Sequence, residues 1–91
     1  MLFVIHCTDK KDRLHVRMDN RPAHIDYLKS FGEKLHAAGP TLSDDGTMNG
    51  SVIILELEDL AAAEAFAAND PYKKAGLFSG VTISVWKKVL P

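Results

Sequence analysis

A histidine at position 24, an aspartate at 70 and an arginine at 21 are the side chains here whose types suit proton transfer on an acidic molecule. An imidazole takes up and returns protons near neutral pH, and does so best when a carboxylate fixes its other ring nitrogen. Asp70 can be that carboxylate. It lies in Asn69-Asp70-Pro71-Tyr72, which closes an alanine-rich run and opens a second short apolar turn. Local chemistry also makes it a helix cap, with Pro71 in the first helical position. The two roles are compatible, because a carboxylate held by backbone donors is a fixed one. Arg21 offers positive charge to an acidic substrate or to a developing oxyanion; its alternative is a solvated surface arginine. Tyr72 and Ser51 bring hydroxyl donors, and Gly39-Pro40 and Gly50 bring backbone that a ligand can approach closely. His6 lies along a strand pattern and reads as structural, and His15 and His36 as surface residues. Cys7 has no evident activating neighbour, so it is not assigned as a nucleophile.

These side chains need elements to hold them. Asn20 as a cap and Pro22 near the first position mark a helix start, and Gly39-Pro40 marks its stop. On a helical wheel centred on His24, Leu28, Phe31, Leu35 and Ala38 fall within about 40° and Tyr27 at about 60°. His24 is thus central on an inward stripe, where it is either a hydrogen-bonded core residue or a base. A place in the first helical turn would favour the neutral ring through the positive potential there.

Leu2–Thr8 is a short apolar, β-branched run that reads as a central strand. Arg13–Asp19 is charged with apolar residues interspersed and fits a helical turn or a loop equally. Thr41–Asp44 is a weak strand, Asp45–Gly50 a turn-rich loop, and Ser51–Glu58 a strong strand, which together make a hairpin. Asp59 caps the helix Leu60–Ala68. After the Asp70 cap, Lys73–Phe78 forms a short turn ended near Gly76, and Ser79–Val89 is a last strand guarded by Lys87 and Lys88.

The order is β-α-β-β-α-β in one domain, residues 1–91. That is the ferredoxin-like α+β plan, an antiparallel four-stranded sheet with its helices on one face. Two helices cover one face only, yet the first and third strands are apolar on both. The uncovered face is therefore expected to pair with a second copy, giving a homodimer built as a dimeric α+β barrel. A chain of 91 residues with one cysteine has no internal disulfide to supplement a small core, which points the same way.

With 11 basic and 12 acidic residues the net charge is −1, which gives no electrostatic reason to bind nucleic acid or an anionic membrane. No aromatic pair suggests RNA stacking, and no glycine-rich anion loop follows the first strand. The four histidines are not at metal-site spacings. With no membrane span or signal-peptide pattern, the expected location is cytoplasmic.

Arg21-Pro22-Ala23-His24, Ala38-Gly39-Pro40, Gly50-Ser51 and Asn69-Asp70-Pro71-Tyr72 with Ala75-Gly76, in this order and spacing, resemble the YciI-related family of small bacterial proteins. The resemblance runs from Met1 to Val89. It implies a dimeric ferredoxin-like domain similar to the muconolactone isomerase group, with His24 and Asp70 facing a cleft. One branch of that family dehydrochlorinates a chlorinated hydroxyhydroquinone, which implies acid–base chemistry without metal or cofactor, of lyase or isomerase type, on a small aromatic or lactone-like acid. The alternative is a non-catalytic protein that holds a small ligand in the same cleft. One departure is the loop Ser43–Gly50, shorter than in some relatives, which bears on the pocket wall and on substrate size.

Overall fold

Alternating apolar residues put two strands at the centre of the sheet. In β1 (Leu2–Asp9), Phe3, Ile5 and Cys7 point to one face and are buried; in β3 (Met48–Glu56), Ile53 and Leu55 do the same. The computed structural model describes residues 1–91. Between these strands lie α1 (Leu14–Lys29), a 3-10 turn (Gly32–Lys34) and β2 (Leu35–Leu42); α2 (Leu60–Ala68), α3 (Pro71–Lys74) and β4 (Phe78–Trp86) follow. The sheet order is β2-β3-β1-β4 and every pairing is antiparallel, so the fold is the ferredoxin-like plan. Ile5 lies opposite Ile53 on one side and Ile83 on the other, which sets the register of the buried face. Leu28, Phe66, Tyr72 and Leu77 pack on that face from the helical layer.

The helical layer is fixed by aromatic contacts. Phe66 of α2 stacks on Tyr27 of α1 at 5.3 Å between centroids and meets Phe31 edge-on at 4.9 Å. Such pairs each contribute about 0.5–1.5 kcal/mol beyond area burial. The Tyr27 hydroxyl also donates to the Phe66 carbonyl at 2.8 Å, tying the last turn of α1 to the last turn of α2. Asp59 caps α2 by accepting from the Ala62 amide, and Asp70 caps α3 by accepting from the Tyr72 amide with Pro71 at the helix start.

The first helix differs from the sequence expectation at both ends. It begins at Leu14, so Arg13–Asp19 belongs mostly to α1 and Pro22 sits inside it. Proline lacks the N–H that would bond four residues back, a loss tolerable near the exposed Met18. His24 therefore occupies a central turn, and the helix-start potential invoked for its neutral ring does not act on it. The helix ends at Lys29, and Gly32, with φ +57, turns the chain away in the left-handed region. Leu35 and Ala38 are thus not on the helical stripe of His24, and Gly39-Pro40 is not a helix exit. They lie in β2, an edge strand, where a proline leaves no ladder bond unmade. The hairpin strand starts at Met48 rather than Ser51, and the last strand stops at Trp86 rather than Val89.

Gly50 is needed for strand packing. A Cβ there would meet the Cys7 carbonyl oxygen directly and lie 2.6 Å from Thr41 Oγ1. Gly50→Ala is expected to lower stability by about 1–3 kcal/mol, since the Cys7 backbone on β1 and the Thr41 side chain on β2 both have to shift; urea denaturation of the two proteins measures it.

Candidate active site

Four side chains one helical face apart look from α1 toward the sheet: Arg17, Arg21, His24 and Leu28, at steps of four, three and four residues. All four line a cavity of about 200 Å³, together with Ile25 of the same helix, Ala38, Gly39 and Pro40 of β2, Met48 and Ser51 of β3, and Tyr72 of α3. That is smaller than the roughly 300–1,000 Å³ of pockets for drug-sized ligands, so the cavity has room for a small molecule only.

His24 is 6% exposed, and its Nδ1 lies 3.0 Å from Asp70 Oδ1. Asp70 is 1% exposed, and the same Oδ1 accepts from the Tyr72 amide at 2.8 Å. The helix-capping bond thereby fixes the carboxylate, and the carboxylate fixes the imidazole. Ring orientation is held a second time by stacking on Tyr72, 3.9 Å between centroids with planes 17° apart. An ionised carboxylate only accepts, so Nδ1 carries the proton in the neutral ring and Nε2 presents a lone pair. Nε2 has no partner within the chain, and no buried side-chain nitrogen or oxygen is left unbonded, so Nε2 opens on the cavity.

At the other end of the cavity lies Arg17, 3% exposed. Its Nε and Nη2 donate to the two carboxylate oxygens of Asp9 at 2.8 Å each, and Nη2 also donates to Ser51 Oγ at 3.0 Å. Its guanidinium carbon sits 4.6 Å from the Tyr72 ring centroid. Burial works against the charge, but the hydrogen bonds and charge of Asp9 outweigh it and raise the Arg17 pKa, so it stays a cation. Burial raises the Tyr72 pKa against the pull of Arg17 and Arg21, so Tyr72 is a phenol and a donor at neutral pH. Arg21 is exposed at the rim and pairs with no carboxylate.

Of the residues singled out in the sequence, His24, Arg21, Gly39, Pro40, Ser51 and Tyr72 line one cavity, and Asp70 stands behind His24. Gly50 does not line it; its missing side chain serves the strands. Arg17 and Asp9 were not singled out. The signal for Arg17 was its spacing from Arg21, His24 and Leu28, which becomes a helical face only once the helix is started at Leu14. No group of three His, Cys, Asp or Glu side chains is gathered as a metal site.

Cys7 is 1% exposed beneath the site, and its thiol is pushed up to about 12, by burial first and then by the charge of Asp70. Iodoacetamide at pH 8 is expected to leave Cys7 intact in the folded protein and to alkylate it fully in urea, as mass spectrometry reads. The shift has a sign for stability. The folded thiol titrates above its ordinary value of 9.0, so its contribution is complete below about pH 9 and is lost as pH rises toward about 12.

No helix is long and apolar enough to cross a membrane. The model of the YCII-related domain matches residues 1–87. Protein YciI of Escherichia coli O6:H1 is 39% identical over 97 aligned positions that span 98% of this chain and 99% of that protein. An uncharacterized protein of Haemophilus influenzae is 34% identical over the same shares. Among solved structures, 5-chloro-2-hydroxyhydroquinone dehydrochlorinase (TftG) from Burkholderia phenoliruptrix AC1100, in complex with 2,5-dihydroxybenzoquinone, superposes with a TM-score of 0.88 at 41% identity, covering 96% of this chain and 94% of that one. With residues 1–87 matched and relatives aligned along nearly their whole length, the chain belongs to the family of YCII-related, YciI-like proteins.

Proposed function

We propose that this protein is a small enzyme in which His24 and Asp70 perform acid–base chemistry of the lyase or isomerase type on a small ring-shaped acid. The observation that carries this is the 3.0 Å bond between His24 Nδ1 and Asp70 Oδ1 at the wall of the cavity. It leaves Nε2 as the base facing a bound molecule, with Asp70 to stabilise the imidazolium once it forms. The likeness to a dehydrochlorinase at 41% identity supports a chlorinated hydroxyhydroquinone as substrate.

Loss of HCl from such a ring balances without an oxidant. One hydroxyl proton moves from oxygen to the carbon that bears chlorine. A second hydroxyl then gives up its proton, its oxygen lone pair becomes a carbonyl bond, and the displaced ring electrons expel chloride. The ring leaves as a hydroxyquinone. A single base that carries protons between ring oxygen and ring carbon meets this need, and the cations beside it favour the anionic intermediate. The test is chloride release from 5-chloro-2-hydroxyhydroquinone, followed by ion chromatography. Turnover well above the buffer rate is expected, and turnover by His24→Asn at the unsubstituted rate would sink the reading.

The working unit we propose is a homodimer of this single domain, joined through the sheet face that the helices leave open. Support comes from Val4, Val52 and Ile54, neighbours on that face and only half-buried, and from Trp86, 40% exposed, at its edge. Sedimentation equilibrium is expected to give twice the mass of the chain, and Ile54→Lys to give a monomer. A monomeric unsubstituted protein at micromolar concentration would refute the dimer.

A further inference from the structure

The flank of α1 that turns away from α2 is apolar and uncovered. Leu14, Met18 and Ile25 fall within about 40° of one another on the helical wheel, about 100° round from His24, and all three are exposed. The opposite flank has its partner, since Tyr27 and Phe31 pack on Phe66. Beside the apolar stripe lies an open groove of about 400 Å³ lined by Met18, Arg21, Pro22, Ile25 and Asp26. Arg21 and Ile25 also line the cavity that holds His24, so the groove continues that cavity outward across its rim. A protein partner suits it poorly. The stripe from Leu14 to Ile25 is about 16 Å long and one helix flank wide, on the order of 150 Å², against the roughly 800 Å² per partner of a stable protein interface. The neighbouring edge strand β2 also carries Pro40, which has no N–H to give an added strand.

We infer that the groove is a second subsite, and that the ligand this protein prefers is a ring acid carrying an uncharged apolar arm. The ring sits beside His24 and the arm lies outside the cavity, on Met18, Pro22 and Ile25. The inference rests on the cavity being the reaction site proposed above. Arg21 and Asp26 border the groove with opposite charges, so it offers no net charge to an ionic arm and apolar contact to an uncharged one. Met18, unbranched and adaptable, is the residue that follows the shape of the arm. Contacts so far from the reacting atoms are equal before and during the reaction, so the arm strengthens binding without changing the chemical step.

The test is calorimetric titration with 2,5-dihydroxybenzoquinone and its 3-butyl derivative. A methylene fully withdrawn from water tightens binding about fourfold, so a butyl arm with about half its surface covered is expected to bind about tenfold more tightly than the bare ring. Met18→Ser, at an exposed position, is expected to bring the two compounds within about threefold and to leave the affinity of the bare ring unchanged. Leu60→Ser, equally exposed but on α2, should keep the tenfold preference. The inference is overturned if the butyl compound binds no more tightly than the bare ring, if Met18→Ser keeps the full preference, or if neither compound binds. It is overturned too if Met18→Ser lowers the mass found by sedimentation equilibrium, because the stripe is then an interface between copies. Failure of the subsite and failure of the His24 chemistry look different. Chloride release with no gain from the butyl arm concerns the groove alone, and absent chloride release with the preference intact concerns only His24.

Discussion

His24→Asn is expected to reduce chloride release from 5-chloro-2-hydroxyhydroquinone by about 10²–10⁴-fold, the usual contribution of a positioned general base. The variant should fold, because Asp70 Oδ1 retains the Tyr72 amide and an asparagine side-chain amide at position 24 can donate to it in place of the imidazole Nδ1. Asp70→Asn separates charge from geometry. Both bonds that matter arrive at Oδ1, from His24 Nδ1 and from the Tyr72 amide, and an asparagine oxygen in that place accepts both. What it lacks is the negative charge that stabilises the imidazolium. Its loss is expected to be smaller than that of His24→Asn, about 10–10²-fold, with the melting transition kept. Asp70→Ala removes the α3 cap as well, so it should lose both activity and about 1 kcal/mol of stability. Initial rates of chloride release with circular dichroism melts check all three. Equal losses from Asp70→Asn and Asp70→Ala would mean that charge matters and position does not.

Arg17→Met is the substitution expected to harm the fold most, by about 3–5 kcal/mol, because it strands the Asp9 carboxylate in the interior. The partners' side chains are 3% and 6% exposed, so neither charge can be rescued by solvent without local opening. For a domain whose total stability is about 5–15 kcal/mol, that is a large share. Asp9→Asn/Arg17→Met should recover most of the loss, since a buried pair replaced on both sides by uncharged groups is often nearly neutral. A urea-denaturation double-mutant cycle measures the coupling. If the two single variants were simply additive in the double, Asp9 and Arg17 would not be interacting as the geometry requires.

The strand patterns of β1 and β3, the caps at Asp59 and Asp70 and the order of elements were legible because each follows from local chemistry. The bounds of α1 were not. Gly39-Pro40 has the look of a helix stop, but in an edge strand proline is equally at home, and the sheet order that makes β2 an edge is a property of the whole chain. The actual stop, Gly32, lies inside a run of helix-compatible residues and is revealed only by its left-handed backbone. Arg17 was missed for a related reason. In a stretch with Lys10, Lys11, Asp12 and Arg13, one more arginine reads as solvated surface, and its burial depends on Asp9, eight residues earlier on another element. His24 was found by a wheel that also carried Leu35 and Ala38. Ala38 does face the cavity, but from β2 on its opposite side.

The placement of β2 also divides labour in a way that bears on how such proteins diversify. The proton-handling pair stands on α1 and α3, braced by Tyr72, whereas one wall of the cavity is Ala38-Gly39-Pro40 on an edge strand, continued through Met48 by the 43–47 turn. An edge strand bonds to one neighbour only, so its register, turn length and side chains can vary with little disturbance to the helices. Chemistry and ligand fit are thus inherited on separate pieces of chain. A lineage can reshape the mouth of the cavity, one hairpin at a time, while the machinery behind it stays as it was.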